Sequence, residues 1–413
     1  MLTQEQKIQF NEILEELGEN LDISETQFNA AVKSYEAVGN WLSKEDSLLS
    51  RYKPEILPQG SFMLGTMIKP VHEKGDLDID LVCELTGKKP DWTQADLKKI
   101  VGDRLKDNEL YKELLDDEGR RCWTLEYRKK SKNGDQYHMD ILPSIISYGY
   151  RDVLTKAFSA TEDTDFEKLA IRITDNKLPN YRIETQTNNW LKSNPFGYGR
   201  WFFNRAVIRT TKLFSLSEAV QPVPKYQHNK LPLQRVVQIL KRHRDMMFEG
   251  ADNKPISIII TTLASRAYNK QENIIEALVD VVNNMERFIE VRRDKYTNVP
   301  YKFIGNPVND EENFADKWRV TKQKETNFYK WLTQVKADVN NLVNQRGKGL
   351  QFINESMQKP FGKELVTKTF SNYGDNLLKR RESGGLKMAA GTGLISEVGR
   401  TNIPQHKPFG KNE

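Results

Sequence analysis

Residues 76–85, DLDIDLVCEL, constrain this chain more than any other stretch. From Ile79 to Leu85 the run alternates with period two, which marks a half-buried strand. Residues two apart on a strand share a face. Asp78 and Asp80 therefore project side by side, while Ile79, Leu81, Cys83 and Leu85 turn toward a core. Two carboxylates forced together repel each other unless a cation sits between them. Hard oxygen donors of this kind suit Mg²⁺ or Mn²⁺. Asp76 and Asp78 have the same spacing and form a rival pair. The 78/80 pair is preferred because Gly75 and Asp76 read as loop and the alternation starts at Asp78.

Two more strands lie near this one. Residues 121–127, RCWTLEY, are one; residues 137–142, YHMDIL, are the other, closed by Pro143 and preceded by a turn at residues 132–135. Helical patterns flank the strands. Ile8, Phe10, Ile13, Leu14 and Leu17 recur at three- and four-residue spacing, and Ala30, Ala31, Tyr35, Val38, Trp41 and Leu42 form a second such stretch. After about residue 190 the helical pattern returns. Pro232 fits the first turn of a helix whose apolar stripe is Leu233, Val236, Val237, Leu240 and Met247. A strongly apolar helix follows from Ser257, and helical periods cover about 271–291 and 311–345. Residues 383–413 hold six of the 24 glycines with little periodicity, as a flexible tail would. The expected organisation is residues 1–50 as N-terminal helices packing on both lobes, 51–190 as a core with the catalytic sheet, 191–382 as a helical lobe and 383–413 as tail.

Composition excludes several classes. The 413 residues carry 63 Lys and Arg against 57 Asp and Glu, a surplus of +6 that permits polyanionic partners without demanding them. Hydrophobic residues at 38% suffice for a large core, so wholesale disorder is excluded. No apolar run approaches the roughly 20 residues needed to span a bilayer. The acidic, amphipathic N-terminus is neither a secretory signal nor a transit peptide. Cys83 and Cys122 cannot build a disulfide framework or a four-cysteine zinc site, and the expected compartment is a reducing cytoplasm.

The chemistry gathers at two places. A third carboxylate, Asp140, stands on another strand just before Pro143. Three aspartates on adjacent strands can hold two metal ions about 4 Å apart. Upstream, residues 59–66 read QGSFMLGT. Glycine lets a backbone approach a phosphate closely, and exposed amides beside Gln59, Gly60 and the Ser61 hydroxyl can cradle a triphosphate. Both halves point to phosphoryl transfer by positioning and electrostatics. No side chain stands out as a general base, though Asp140 is placed to assist.

With these residues the chain resembles the cGAS/DncV-like nucleotidyltransferases, bacterial enzymes of CBASS anti-phage defence within the polymerase-β-like superfamily. The Gly-Ser turn and the aspartates carry the superfamily resemblance. The segments SNPFGYGRWF (193–202), LPLQRVVQILKRHRD (231–245), KPISIIITTLASRAY (254–268) and NPVNDEENFADKW (306–318) narrow it. The resemblance implies a bilobed α/β (α+β) fold, with a mixed-sheet lobe and a helical C-terminal lobe. It implies a synthase that joins NTPs, ATP or GTP, into a cyclic di- or trinucleotide with release of pyrophosphate. The diffusible product would reach a downstream effector. Asp78, Asp80 and Asp140 would be the catalytic ligands of two Mg²⁺ or Mn²⁺ ions, and Gln59, Gly60 and Ser61 would hold the donor triphosphate. Lys241 and Ser257 match the lysine and serine that such enzymes turn toward the triphosphate. Many relatives have a C-terminus handled by an E1/E2-like conjugating partner; here the chain ends in Glu413 rather than glycine. The one-His, three-Cys zinc ribbon with which cGAS grips DNA is not present in this sequence. Two other readings use the same residues: a linear or RNA-tailing nucleotidyltransferase, and a catalytically inactive nucleotide-binding scaffold.

Overall fold

The computed structural model describes residues 2–71, 77–127, 137–146, 166–208, 225–397 and 399–404. By contact the chain divides into two units. One comprises Met1–Asp22, Lys230–Ile304 and Phe314–Glu413; the other comprises Ile23–Asn229 and Gly305–Asn313.

Helix α1, Gln4–Leu21, belongs to the first unit, and α2, Glu25–Ser43, to the second. Each opens with a capping box: Thr3 with Gln6, and Ser24 with Gln27. Phe28, Ala31, Val32, Tyr35, Val38 and Leu42 recur on one face of α2 and join the core of the second unit.

The second unit is built on a mixed six-stranded sheet. Its strands are β1 (Glu55–Pro58), β2 (Leu77–Thr86), β3 (Trp123–Glu126), β4 (Tyr137–Ile146), β5 (Ile171–Ile173) and β6 (Leu191–Ser193). The order is β1-β2-β4-β5-β6, with β3 also paired to β4. β2 and β4 run parallel at the centre, and the other pairs are antiparallel. Ile79, Leu81, Cys83 and Leu85 of β2 are all buried in one core with Trp123, Leu125, Met139 and Ile141. The short helix α3 (Gly60–Met63) follows β1; α4 (Gln94–Lys106) and α5 (Glu109–Leu114) separate β2 from β3.

Pro143 does not close β4 as expected; the strand runs on to Ile146. Pairing with β3 ends at Ile141 and pairing with β5 begins at Ser144. Proline, which lacks a backbone donor, thus falls where that edge of β4 is unpaired.

The contact division also differs from a boundary at residue 190. Helix α6, Pro195–Ala206, lies in the sheet unit. Asn194 caps it, accepting from the Gly197 amide at 2.9 Å, and its Nδ2 donates to the Phe166 carbonyl at 2.7 Å. At Gly199 a Cβ would come within 2.6 Å of Met63 Cε, so this glycine lets α6 lie close to α3.

The first unit is helical. It holds α7 (Pro232–Phe248), α8 (Ser257–Ala267) and α9 (Ile274–Asn284), and then the exposed hairpin β7–β8, Glu290–Arg293 with Pro300–Phe303. The expected helix through residue 291 therefore ends earlier, at Asn284, with a single 3₁₀ turn after it. Strands β9 (Gly305–Asn306) and β10 (Asn309–Asn313) belong to the sheet unit. α10 (Lys322–Asn344), α11 (Leu350–Phe361) and α12 (Lys363–Glu382) complete the helical one. Within the segment expected to be a flexible tail, residues 383–397 and 399–404 carry short strands. Short strands β11 (Lys387–Met388), β12 (Ile395–Ser396) and β13 (Thr401–Asn402) pair antiparallel, and Leu386 and Ala389 are buried. Residues 405–413, where the conjugation site was expected, lie outside the described residues. Among the described residues no helix is long and apolar enough to cross a membrane.

Candidate active site

The parallel register of β2 and β4 brings the aspartates together. Asp80 is the direct partner of Asp140, and Asp78 the partner of His138. β3 extends the same rows from the other side, with Thr124 opposite Asp140 and Glu126 opposite His138. Cross-strand partners share a face, so two rows lie side by side: Asp80, Asp140 and Thr124, then Asp78, His138 and Glu126. Alternation leaves this face polar. Asp78 is exposed and Asp80 and Asp140 are half-buried, while Leu77, Ile79 and Met139 between them are buried. The rival Asp76 lies outside the described residues.

The Gly-Ser turn abuts this face. Pro58 at the end of β1 is the partner of Leu81, and the Gln59 amide donates to the Asp80 carbonyl at 2.8 Å. The chain then turns at Gly60, whose φ is +57°. A Cβ there would lie 2.4 Å from Asp80 Oδ2. Only glycine meets both demands, a left-handed backbone and contact with the carboxylate. Ser61 follows, half-buried. Its neighbours fix it: the Phe62 ring stacks on Phe28 with centroids 4.7 Å apart and meets Tyr35 edge-on, and Met63 is buried against α6.

The donor set is carboxylate oxygen, which suits a hard divalent cation. The absent side chain of Gly60 lets the Asp80 carboxylate lie against the backbone of the turn. Among the described residues no three His, Cys, Asp or Glu side chains are gathered closely enough to cage an ion as they stand. The three aspartates share one face of the sheet because of the parallel register of β2 and β4. Cys122, ahead of β3, has its thiol pushed up to about 12 by burial first and then by the charges of Asp140 and Asp80. Burial likewise pushes Cys83 up to about 12.

Lys241 and Ser257 belong to the helical unit. Lys241, on α7, is only 4% exposed, so it is no solvated surface lysine. Polar neighbours of Lys241 on α7 are engaged: Gln238 donates to Asp22 Oδ1 at 2.7 Å, and Asp245 pairs with Arg244 and Lys254. Ser257 is the first residue of α8 and not its cap, which is Ile256. Its Oγ accepts from Arg244 at 2.8 Å, which leaves the hydroxyl proton available to an acceptor.

Reading the sequence alone missed Thr124, His138 and Glu126. The signal for two of them was present: in Trp123-Thr124-Leu125-Glu126 the polar residues alternate with apolar ones. Which strand they would face was not.

Comparison with known proteins gives four findings. Residues 54–143 match the family model for the nucleotidyltransferase domain of cyclic GMP-AMP synthase DncV-like proteins. The chain is 27% identical over 406 residues to a c-di-GMP synthase of Roseivirga ehrenbergii, covering 98% of this chain and 97% of that one. It is 22% identical to the cyclic dinucleotide synthase CdnG of Bradyrhizobium diazoefficiens, over 93% of this chain and 89% of that one. The solved structure of that CdnG in complex with GTP superposes with a TM-score of 0.61 at 17% identity, covering 89% of this chain and 99% of that chain.

Proposed function

From the premise that this chain carries a nucleotidyltransferase domain of the DncV-like family, we propose that it joins two NTPs into a cyclic dinucleotide and releases pyrophosphate. The observation that carries this reading is the pairing of Asp80 with Asp140, with Gly60 packed against the Asp80 carboxylate. Both curated relatives are named as dinucleotide synthases, which favours a two-membered ring over a three-membered one. GTP is the first donor to try, because one relative is named a c-di-GMP synthase and the other was solved with GTP. Anti-phage signalling through a diffusible product is the setting that the family resemblance supports.

In this reading Asp78, Asp80 and Asp140 hold the divalent metal, Mg²⁺ or Mn²⁺, as a pair of ions. When bound, such ions offset charge on the triphosphate and acidify the attacking hydroxyl. The residues of the chain do the positioning. Gly60 lets the backbone come close to the triphosphate, Gln59 and Gly60 supply amides, and Ser61 donates its hydroxyl. Each joining step forms one bond from a ribose hydroxyl oxygen to an α-phosphorus and breaks the α–β bridge, so pyrophosphate leaves. The triphosphate-contact roles of Lys241 and Ser257, and a conjugating partner at the C-terminal residues, rest on the sequence resemblance.

The test is incubation of the purified protein with all four NTPs and Mg²⁺ or Mn²⁺, digestion with nuclease and phosphatase, and mass spectrometry. The expected product survives both digestions with the mass of a cyclic dinucleotide. A linear, digestible product would mean an RNA-tailing type of enzyme. Stabilisation by NTP without turnover would mean a binding scaffold.

A further inference from the structure

Asp140 lies between two neighbours on its face of the sheet. Asp80 stands on one side, on β2, and Thr124 on the other, on β3. The Thr124 hydroxyl donates to Asp140 Oδ1 at 2.6 Å. Among the described residues this is the sole hydrogen bond that the Asp140 side chain makes. An ionised carboxylate only accepts, so the hydroxyl must be the donor. Held on one side by this bond, the carboxylate is restrained from turning about its terminal bond.

Thr124 is itself rigidly held. Trp123, just before it, donates from its indole nitrogen to the Lys98 carbonyl at 2.8 Å. Its ring sits where a Cβ on Gly102 would be, 2.3 Å away. Leu125, just after it, is fully buried. Tyr127 closes the strand pair, with its amide bonded to the Tyr137 carbonyl at 3.0 Å and its ring stacked on Tyr137.

We propose that Thr124 is a positioning residue for the metal centre: it sets the orientation of Asp140 and so determines how tightly the divalent ion is held. The proposal rests on the functional reading above, in which Asp140 is a ligand. Hydrogen-bond partners of metal-ligating groups commonly change metal affinity or activity by 10–100-fold when removed.

The test uses the full chain with a non-hydrolysable GTP analogue, and follows free Mn²⁺ by electron paramagnetic resonance. Thr124→Val, which keeps the shape and removes the donor, is expected to weaken Mn²⁺ binding ~10-fold. The midpoint of thermal unfolding should stay at the wild-type value, and turnover at saturating Mn²⁺ should fall less than affinity does. Thr124→Ser, which keeps the donor, should restore wild-type affinity. Wild-type Mn²⁺ affinity in Thr124→Val would overturn the proposal, as would a failure of Thr124→Ser to restore it. Asp80→Asn tells the two readings apart. If it binds Mn²⁺ as the wild type does, the metal reading itself fails and the proposal falls with it.

Discussion

Asp80 and Asp140 are direct partners on two parallel strands, so two acidic side chains from segments 60 residues apart share one patch of sheet. The hydrophobic core behind them fixes the pairing, because a slip of one residue would turn Ile79, Leu81 and Met139 out to water. Two like charges on one patch of sheet cost stability unless a partner or a cation offsets them.

That tension is measurable. Asp80→Asn and Asp140→Asn should each raise the unfolding midpoint in metal-free buffer, because functional sites are commonly built at the expense of stability. The same changes should lower the rate of pyrophosphate release from NTP by on the order of 10²–10³-fold or more. Calorimetry with EDTA and a coupled pyrophosphate assay check the pair of outcomes. Destabilisation by both variants would show that the carboxylates serve the fold.

Gly60 is the tightest point of the site. Gly60→Ala must adopt φ near +57° and place a methyl 2.4 Å from Asp80 Oδ2. The backbone strain is about 1–3 kcal/mol. The displaced Asp80 should make the loss of activity far larger than the loss of stability. Parallel unfolding and turnover measurements separate the two.

Much of this arrangement was legible in the sequence, for a physical reason. Period-two alternation at residues 79–85 can be satisfied only by a strand with one face inward, and the face carrying Asp78 and Asp80 follows directly. The relation of β2 to β4 was not legible, since it depends on a long-range parallel pairing with β3 set on the far side. Thr124 was overlooked for that reason. The hairpin at residues 290–303 was read as helix on one side and passed over on the other. Yet Val291, Val299, Tyr301 and Phe303 around a turn with Asn298 in the left-handed region are good strand material. In β11–β13 each strand has two residues, too few to show any period.

Glu84 gives a pH test. It lies four residues beyond Asp80 on β2, is 1% exposed, and its Oε1 has no hydrogen-bond partner among the described residues. Burial first, then the charge of its cross-strand partner Glu55, push its carboxyl well above the usual range. Unfolded, the group ionises near pH ~4.3. Above that pH the folded chain keeps a proton that the unfolded chain has lost. Stability therefore falls as pH rises, by about 1.4 kcal/mol per unit, until Glu84 ionises in the fold as well. Glu84→Gln removes this dependence. Its stability relative to the wild type should be near parity at about pH 4, roughly 1 kcal/mol ahead by pH 5, and should grow toward pH 8 in denaturant titrations. A constant offset across that range would contradict the assignment.

Gly102 on α4 is a packing test. A methyl there would meet the Trp123 ring at 2.3 Å, so Gly102→Ala should destabilise the protein by about 1–3 kcal/mol despite the better helix propensity of alanine. Because Trp123 anchors Thr124, Mn²⁺ affinity should drop as well. Thermal unfolding and the Mn²⁺ assay check both effects.

The account stands on Asp78, Asp80 and Asp140 acting together on a nucleoside triphosphate. The most direct measurement is quantitative mass spectrometry of nucleotide product from wild type, Asp78→Ala, Asp80→Ala and Asp140→Ala, under identical NTP and Mn²⁺ concentrations and with each variant shown to be folded. The account predicts a cyclic dinucleotide from wild type and essentially none from any of the three. Undiminished product from any one of the folded variants would contradict it.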